Sequence, residues 1–310
     1  MVIITYRRPL FLKKCLNSIA FQTRKPDEVV IVFREDDIET QNLINYFITS
    51  YKNSLLIKGV FVTKPGMTIA RNRGIKNVSG DIICFIDDDS VAVPEWVERI
   101  EPYFCREEIG AVGGPCPRPE RGNLLTNMVD EVLQVNRFGM VSSFGAEYIV
   151  PRPIEVYHLQ GTNMSFRREL LNSFDENLVG HCYREDMDVC LSIKKKGYKI
   201  IYDPEIVVYH YRDTSPSTEL GRYEEYNKIL QAEINNTYVL LKHLSPRNRL
   251  VFLLFTILVG DIPNPGILRN LIRAVRNRRI IDVTEFLLPA LKGKLHGVLL
   301  YLRCRSDCSK

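Results

Sequence analysis

Residues Ile82–Asp89 read I-I-C-F-I-D-D-D, five apolar residues that stop in three carboxylates. A short, continuous apolar run suits a strand buried on both faces. Three adjacent aspartates repel one another and make a poor strand end unless a cation gathers them. With strand geometry continued, Asp87 and Asp89 point the same way. Hard oxygen ligands of this kind suit Mg²⁺ or Mn²⁺, with substrate phosphates completing the shell. The alternative for the run is a solvated acidic turn.

Upstream of this stretch, strand-like and helix-like segments alternate. Val2–Thr5, Glu28–Phe33, Gly59–Thr63 and Asp81–Ile86 read as strands, and Pro9–Gln22, Thr40–Tyr51, Thr68–Lys76 and Pro94–Phe104 as helices. Pro9 suits a first helical turn, and Leu12, Leu16 and Ile19 fall at helical spacing. This alternation predicts an α/β fold with a mostly parallel sheet covered on both faces. Ligands of such sheets sit beyond the carboxyl ends of the strands, where Glu35-Asp36-Asp37 and Asp87-Asp88-Asp89 both fall. Downstream, strands are expected at Ala111–Gly113, Asn163–Phe166, Lys199–Tyr202 and Ile206–Tyr209, and helices at Arg168–Asn172 and Glu185–Lys196. The last of these helices stops at Gly197.

Two further groups carry chemistry. Glu185 and Asp186 in Y-R-E-D-M-D open a helix. A carboxylate there is stabilised by unsatisfied backbone amides, which is a structural explanation, but it can also project into a cleft as a general base. Val207–Tyr211, V-V-Y-H-Y, ends a β-branched strand in His210. That histidine is either structural or a third metal ligand beside the carboxylates.

The ordered set T-Y-R-R-P, A-R-N-R-G, F-I-D-D-D, G-T-N-M-S-F-R-R, F-D-E, R-E-D-M-D and Y-H resembles the family 2 glycosyltransferases over residues 1–212. The resemblance implies a GT-A nucleotide-sugar-binding fold and a nucleotide-sugar-dependent transferase using Mn²⁺ or Mg²⁺. Asp87 would face the nucleotide ribose, with Asp88 beside it, and Asp89 would hold the metal, closed by His210. Asp186 is the expected general base, with Glu185 orienting it or contacting the acceptor. Thr5, Tyr6 and Arg8 match the segment lining the nucleoside pocket, and Arg71 the arginine that approaches the base or phosphates. Gly161, Thr162 and Asn163 correspond to a loop beside the donor sugar and acceptor. Where relatives carry an acidic pair after the second strand, this chain has V-F-R-E-D-D, so the carboxylate on the nucleobase is Glu35 or Asp36. Relatives also have a few more residues before the first strand.

The mechanism that the resemblance implies is a single inverting displacement, in which an acceptor hydroxyl attacks the anomeric carbon. A metal at Asp89 offsets charge on the departing diphosphate, and Asp186 takes the hydroxyl proton. UDP-sugar is the default donor; the acceptor is a glycan or lipid-linked glycan of surface-glycan biosynthesis. A sugar-nucleotide pyrophosphorylase would need a glycine-rich phosphate loop after the first strand, which T-Y-R-R-P is not. Neither a P-loop nor G-x-G-x-x-G follows that strand. A catalytically inactive assembly subunit is the reading from another class, and the intact Asp87, Asp89, Asp186 and His210 oppose it.

At 310 residues, 45% hydrophobic and 25% charged, the chain has the composition of a folded protein. Its eight cysteines are scattered without C-x-x-C spacing, as free thiols in a reducing compartment would be. No signal peptide is read, so the catalytic portion, residues 1–215, is expected in the cytosol. Residues 241–310 hold 13 Lys and Arg against 4 Asp and Glu, a balance of +9 in a total of +5. Nucleic-acid proteins spread basic and aromatic residues across the fold, whereas here the charge sits in one apolar tail. Leu250–Val259 is too short to span a bilayer, and Ile267–Ile280 and Phe286–Leu302 read as basic amphipathic segments. The helical region 216–310 is therefore expected to lie on an anionic membrane at its cytoplasmic face, the alternative being a helical cap on the core.

Overall fold

The computed structural model describes residues 1–119, 127–142, 144–180, 183–211, 225–260, 266–269, 272 and 287–307. The chain divides into two compact units: Met1–Gln134 with Ser142–Glu176 and Glu185–Thr214, and Ser215–Lys310 with Val135–Val141 and Asn177–Arg184. The expected boundary near residue 215 lies outside the described residues. So does most of the expected amphipathic segment 267–280.

The first unit is built on an eight-stranded sheet. In chain order its strands are β1 (Val2–Ile4), β2 (Glu28–Arg34), β3 (Leu56–Val62), β4 (Ile82–Ile86), β6 (Ile109–Gly113), β7 (Ile154–Glu155), β8 (Asn163–Arg167) and β9 (Lys199–Tyr202). Across the sheet they run β3-β2-β1-β4-β8-β6-β9-β7. β3, β2, β1 and β4 are parallel, β8 is antiparallel to both neighbours, β6 and β9 are parallel, and β7 closes the edge antiparallel. The sheet is thus mixed and mostly parallel. Helices α1 (Pro9–Ala20), α2 (Ile38–Tyr51), α3 (Met67–Ile75), α4 (Trp96–Ile100) and α5 (Glu185–Lys195) cover it.

The side-chain alternation of β2 explains why both faces are covered. Val29, Ile31 and Phe33 join one core with Leu12, Leu16, Ile19 and Trp96, while Val30 and Val32 join a second with Ile75, Val189 and Ile193. A strand buried on both sides needs an unbroken apolar run, and E-V-V-I-V-F-R supplies it.

Three local readings differ. The helix expected over Pro94–Phe104 is α4 followed by a 3₁₀ turn, Glu101–Cys105, with Pro102 at its start; proline removes the amide an α-helix would need there. Arg168–Asn172 is one 3₁₀ turn, Arg168–Leu170. And β5 (Ser90–Ala92), directly after the aspartates, is a strand without a sequence signal. It pairs antiparallel with β10 (Val208–His210), Ser90 opposite His210. The described cysteines Cys15, Cys84, Cys105, Cys116, Cys190 and Cys304 are free.

The second unit contains α6 (Glu225–His243), α7 (Pro246–Leu258) and α8 (Leu288–Asp307). The apolar run from Leu250 belongs to α7, whose Ser245 cap accepts from the Asn248 amide at 3.4 Å. Among the described residues, no helix is long and apolar enough to cross a membrane.

Candidate active site

The site forms at the carboxyl end of β4, and the β5–β10 ribbon completes it. Because Ser90 pairs with His210, the histidine arrives beside Asp89: His210 Nε2 lies 3.2 Å from Asp89 Oδ1, and the Tyr211 amide donates to the Asp89 carbonyl at 2.8 Å. Donor atoms of Asp87, Asp89 and His210 lie within 4.8 Å of one another. Ligands of an octahedral ion with bonds of about 2.1 Å sit about 3 Å apart in cis and about 4.2 Å apart in trans. Two carboxylates and one imidazole at this spacing therefore fit Mn²⁺ or Mg²⁺ after small adjustments.

Asp88 points the other way and is fully buried. Thr5 Oγ1 donates to it at 2.6 Å, and the Arg8 guanidinium lies 2.5 Å from its Oδ1 and 3.0 Å from Asp89 Oδ2. Burial pushes the Asp88 carboxyl up, against the pull of Arg8, with Asp89 adding to the rise. The middle aspartate thus ties β4 to the Thr5–Arg8 segment while its neighbours face the cleft. On the rim, Tyr6 donates from its hydroxyl to Asp36 Oδ2 at 3.1 Å and lies under the guanidinium groups of Arg7 and Arg34. Glu35 is exposed next to it. Arg7 has φ 54°, a strained value for arginine, and its amide donates to Asp37 Oδ2 at 2.5 Å.

A second buried guanidinium joins the two acidic motifs. Arg71 Nη1 donates to Glu185 Oε1 at 2.6 Å, and its Nη2 lies 3.6 Å from Asp87 Oδ1 and 3.5 Å from the Gly161 carbonyl. The helix that carries Arg71 comes close because Gly74 lacks a side chain; a Cβ there would sit 2.4 Å from Val2 Cγ1. At Gly161 a Cβ would meet the tip of the Arg71 side chain, Nη2, at 2.7 Å. Burial and Asp186 push Glu185 up, and Arg71 pulls it back. Burial alone would lower Arg71, but Glu185 and Asp87 raise it. Asp88 and Asp89 thus share Arg8, while Asp87 and Glu185 share Arg71.

Asp186 opens α5 and is half-buried. Its Oδ2 accepts from the Gly161 amide at 3.0 Å and its Oδ1 from the Met187 amide at 2.7 Å. Thr162 donates to Asp87 Oδ2 at 2.5 Å, so the Gly161–Thr162 loop bridges both carboxylates. Asn163 does not enter the cleft. Its Oδ1 accepts from Trp96 Nε1 at 3.0 Å, and its Nδ2 donates to the Ile206 carbonyl at 2.7 Å. The expectation of a place beside the sugar thus gives way to an interior one. Cys15 and Cys116 are buried, and burial together with nearby aspartates raises both thiols, so neither suits a nucleophile.

Two supporting residues were not singled out beforehand. Asn72 Nδ2 donates to the Phe174 carbonyl at 2.9 Å while its Oδ1 accepts from the Phe174 amide at 2.7 Å. That pair of hydrogen bonds fixes α3, and Phe174 in turn lies under the Arg71 guanidinium. Trp96, which holds Asn163, is the other. Asn72 was visible within A-R-N-R-G, although nothing in its spacing indicates this role.

Known proteins resemble this chain in sequence and in fold. The model for glycosyl transferase family 2 matches residues 1–174. Glycosyltransferase AglE of Haloferax volcanii is 31% identical over 117 residues, 37% of this chain and 38% of that protein. The glucosyl-dolichyl phosphate glucuronosyltransferase of the same organism is 24% identical over 231 residues, 68% of each chain. Among solved structures, the mannosyltransferase PcManGT from Pyrobaculum calidifontis, in complex with GDP-Man and Mn²⁺, superposes with a TM-score of 0.56 at 15% identity, covering 99% of this chain and 86% of that one. S. aureus TarS 1-349 in complex with UDP-GlcNAc gives 0.57 at 17% identity, covering 83% and 70%. At these identities the structural likeness is one of fold.

Proposed function

Since the chain belongs to glycosyl transferase family 2, whose model matches more than half of it, we propose that it transfers a sugar from a nucleotide-sugar donor to a hydroxyl of a glycan or lipid-linked acceptor, with inversion. The observation that carries this reading is the convergence of Asp87, Asp89 and His210 at the end of β4, with Asp186 held next to them by the Gly161 amide.

Thr5, Tyr6, Arg8 and Asp36 line the nucleoside side, and Asp87 and Asp89 with His210 would hold Mn²⁺ or Mg²⁺. A bound divalent ion supplies charge stabilisation to the departing diphosphate. The acceptor oxygen bonds to the anomeric carbon as the bond from that carbon to the diphosphate breaks. The nucleoside diphosphate leaves with the electron pair, and the hydroxyl proton passes to Asp186. Glu185, clamped to Arg71, positions the start of α5 and with it the base. Arg71 keeps Asp87 and Glu185 together, where two carboxylates would otherwise repel.

UDP-sugars are the default donors, and GDP-sugars are the alternative because the compared mannosyltransferase holds GDP-Man. The name of the compared dolichyl-phosphate enzyme supports an acceptor carried on a lipid. That acceptor sets the work at the cytoplasmic face of a membrane, in the assembly of a surface glycan. Incubation with a panel of UDP- and GDP-sugars and Mn²⁺, reading released nucleoside diphosphate, tests the proposal. Release that requires the metal supports it, and no release with any donor or acceptor argues for an inactive family member.

A further inference from the structure

Helix α8 is amphipathic in an inverted sense. Gly293, Lys294 and Gly297 lie on its buried side with Pro289 and Ala290, while four of its six leucines are exposed. A Cβ at Gly293 would lie 2.7 Å from the Leu230 carbonyl, and one at Gly297 2.6 Å from the Ile234 carbonyl, so the backbone of α8 rests directly on α6. Between the glycines, Lys294 Nζ meets Glu233 Oε2 at 2.6 Å, with both side chains buried. The inner face is thereby fully used. Leu288, Leu295, Leu299 and Leu302, spaced seven, four and three residues apart, form the opposite stripe and are 53–59% exposed.

Helix α7 repeats the arrangement. Phe252 and Thr256 are buried, while Leu250, Val251, Leu254 and Leu258 share the far side at 41–62% exposure. The Arg249 guanidinium, 5.0 Å from the centroid of the Tyr301 ring, joins α7 to α8. Eight large apolar residues at helical spacing on two adjoining helices are more than the scattered exposure normal for a surface.

The charges choose the occupant. Arg247, Lys292, Arg303 and Arg305 are exposed among or beside these leucines, and neither helix carries a carboxylate before Asp307. A second copy of the chain would bring these cations against their own kind. An anionic bilayer offers apolar depth to the leucines and negative charge to the arginines and lysine. We infer that the outer faces of α7 and α8 form a lipid-contacting surface which seats the protein on an anionic membrane with both helices lying in the interface. This deepens the reading of a lipid-linked acceptor and rests on it for its purpose, but vesicle binding is measured without catalysis.

The test is co-sedimentation of the full chain with vesicles of phosphatidylcholine alone or mixed with phosphatidylglycerol, at low and high salt. Binding should favour the mixed vesicles and weaken with salt. Leu295→Ser with Leu299→Ser should lower partitioning by roughly tenfold to a hundredfold. Leu56→Ser, which alters a leucine of similar exposure on β3, should leave it unchanged. Arg303→Glu with Lys292→Glu should remove the preference for anionic lipid, which keeps the idea testable if the leucine pair fails to fold. Donor hydrolysis, followed on the same variants, should stay at the wild-type rate, so failed docking and failed transfer are separate results. No binding of folded wild type to mixed vesicles overturns the inference, as does binding indifferent to both variant pairs. A dimer in light scattering that the leucine variant dissolves also overturns it, by giving the stripe to a second copy.

Discussion

Arg71 Nη1 donates to Glu185 Oε1 at 2.6 Å across 114 residues of sequence, both side chains buried. The same guanidinium lies 3.6 Å from Asp87, so one cation links the acidic end of β4 to the acidic start of α5. Removing one partner of a buried pair leaves the other charge uncompensated, which costs more than the pair contributes. Arg71→Met should therefore lower unfolding stability by about 3–5 kcal/mol in urea titrations. Adding Glu185→Gln should recover part of that loss, and additive losses would mean the two side chains do not act as a pair.

Asp186 keeps its geometry through two backbone amides, those of Gly161 and Met187. Asn in its place can accept only one of those two bonds through its single carbonyl oxygen, and it cannot take a proton. Asp186→Asn should lower kcat by roughly 10²–10⁴-fold with little change in nucleotide binding by calorimetry. An unimpaired kcat would send the proton elsewhere, as with an anionic phosphate acceptor that needs no base.

Metal affinity should depend on both arms of the β5–β10 ribbon. Asp89→Asn and His210→Ala should each weaken Mn²⁺ binding, read by electron paramagnetic resonance, by roughly 10–100-fold or more. If His210→Ala binds Mn²⁺ as tightly as wild type, the histidine orients Asp89 and is not a ligand.

Glu28 offers a test of fold stability away from the site. It starts β2 and accepts from Lys58 Nζ at 2.6 Å, from Ser79 Oγ at 2.8 Å, from the Gly80 amide at 3.2 Å and from the Ser79 amide. Burial opposes ionisation, but Lys58 and the two Ser79 donors outweigh it and hold the carboxyl at about 2, below its ordinary 4.5. A depressed folded-state value contributes stability that is complete above about pH 4.5 and is lost as pH falls toward 2. Allowing for the partial exposure of Lys58, this amounts to about 2 kcal/mol. Glu28→Gln should be less stable than wild type at pH 7, and the gap should close across that acid window. A gap independent of pH would assign the effect to packing.

The parts of this molecule legible in sequence are those with a one-dimensional signature. β2 and β4 are unbroken apolar runs, and carboxylates at strand ends and a helix start mark Asp87, Asp89, Glu185 and Asp186. What the chain hides depends on pairing at a distance. β5 is three residues long and exists because β10 lies beside it, yet this pairing brings His210 to Asp89. Asn163 sits in the G-T-N motif whose resemblance suggests ligand contact, but Trp96 and the Ile206 carbonyl use its amide. In α8, leucines and glycines alternate so that periodicity alone identifies an amphipathic helix without saying which face is inside. The close approach of Gly293 and Gly297 to α6 decides that.

The central claim is that Asp87, Asp89 and His210 gather a divalent ion onto which a nucleotide sugar is drawn for transfer. Calorimetric titration of UDP- and GDP-sugars into the protein, with Mn²⁺ and after its removal by EDTA, tests this most directly when run on wild type and Asp89→Asn in parallel. The account predicts donor binding by wild type that Mn²⁺ strengthens at least tenfold and that Asp89→Asn loses to the level seen in EDTA. Equal donor affinity with and without metal, unchanged in Asp89→Asn, would contradict it.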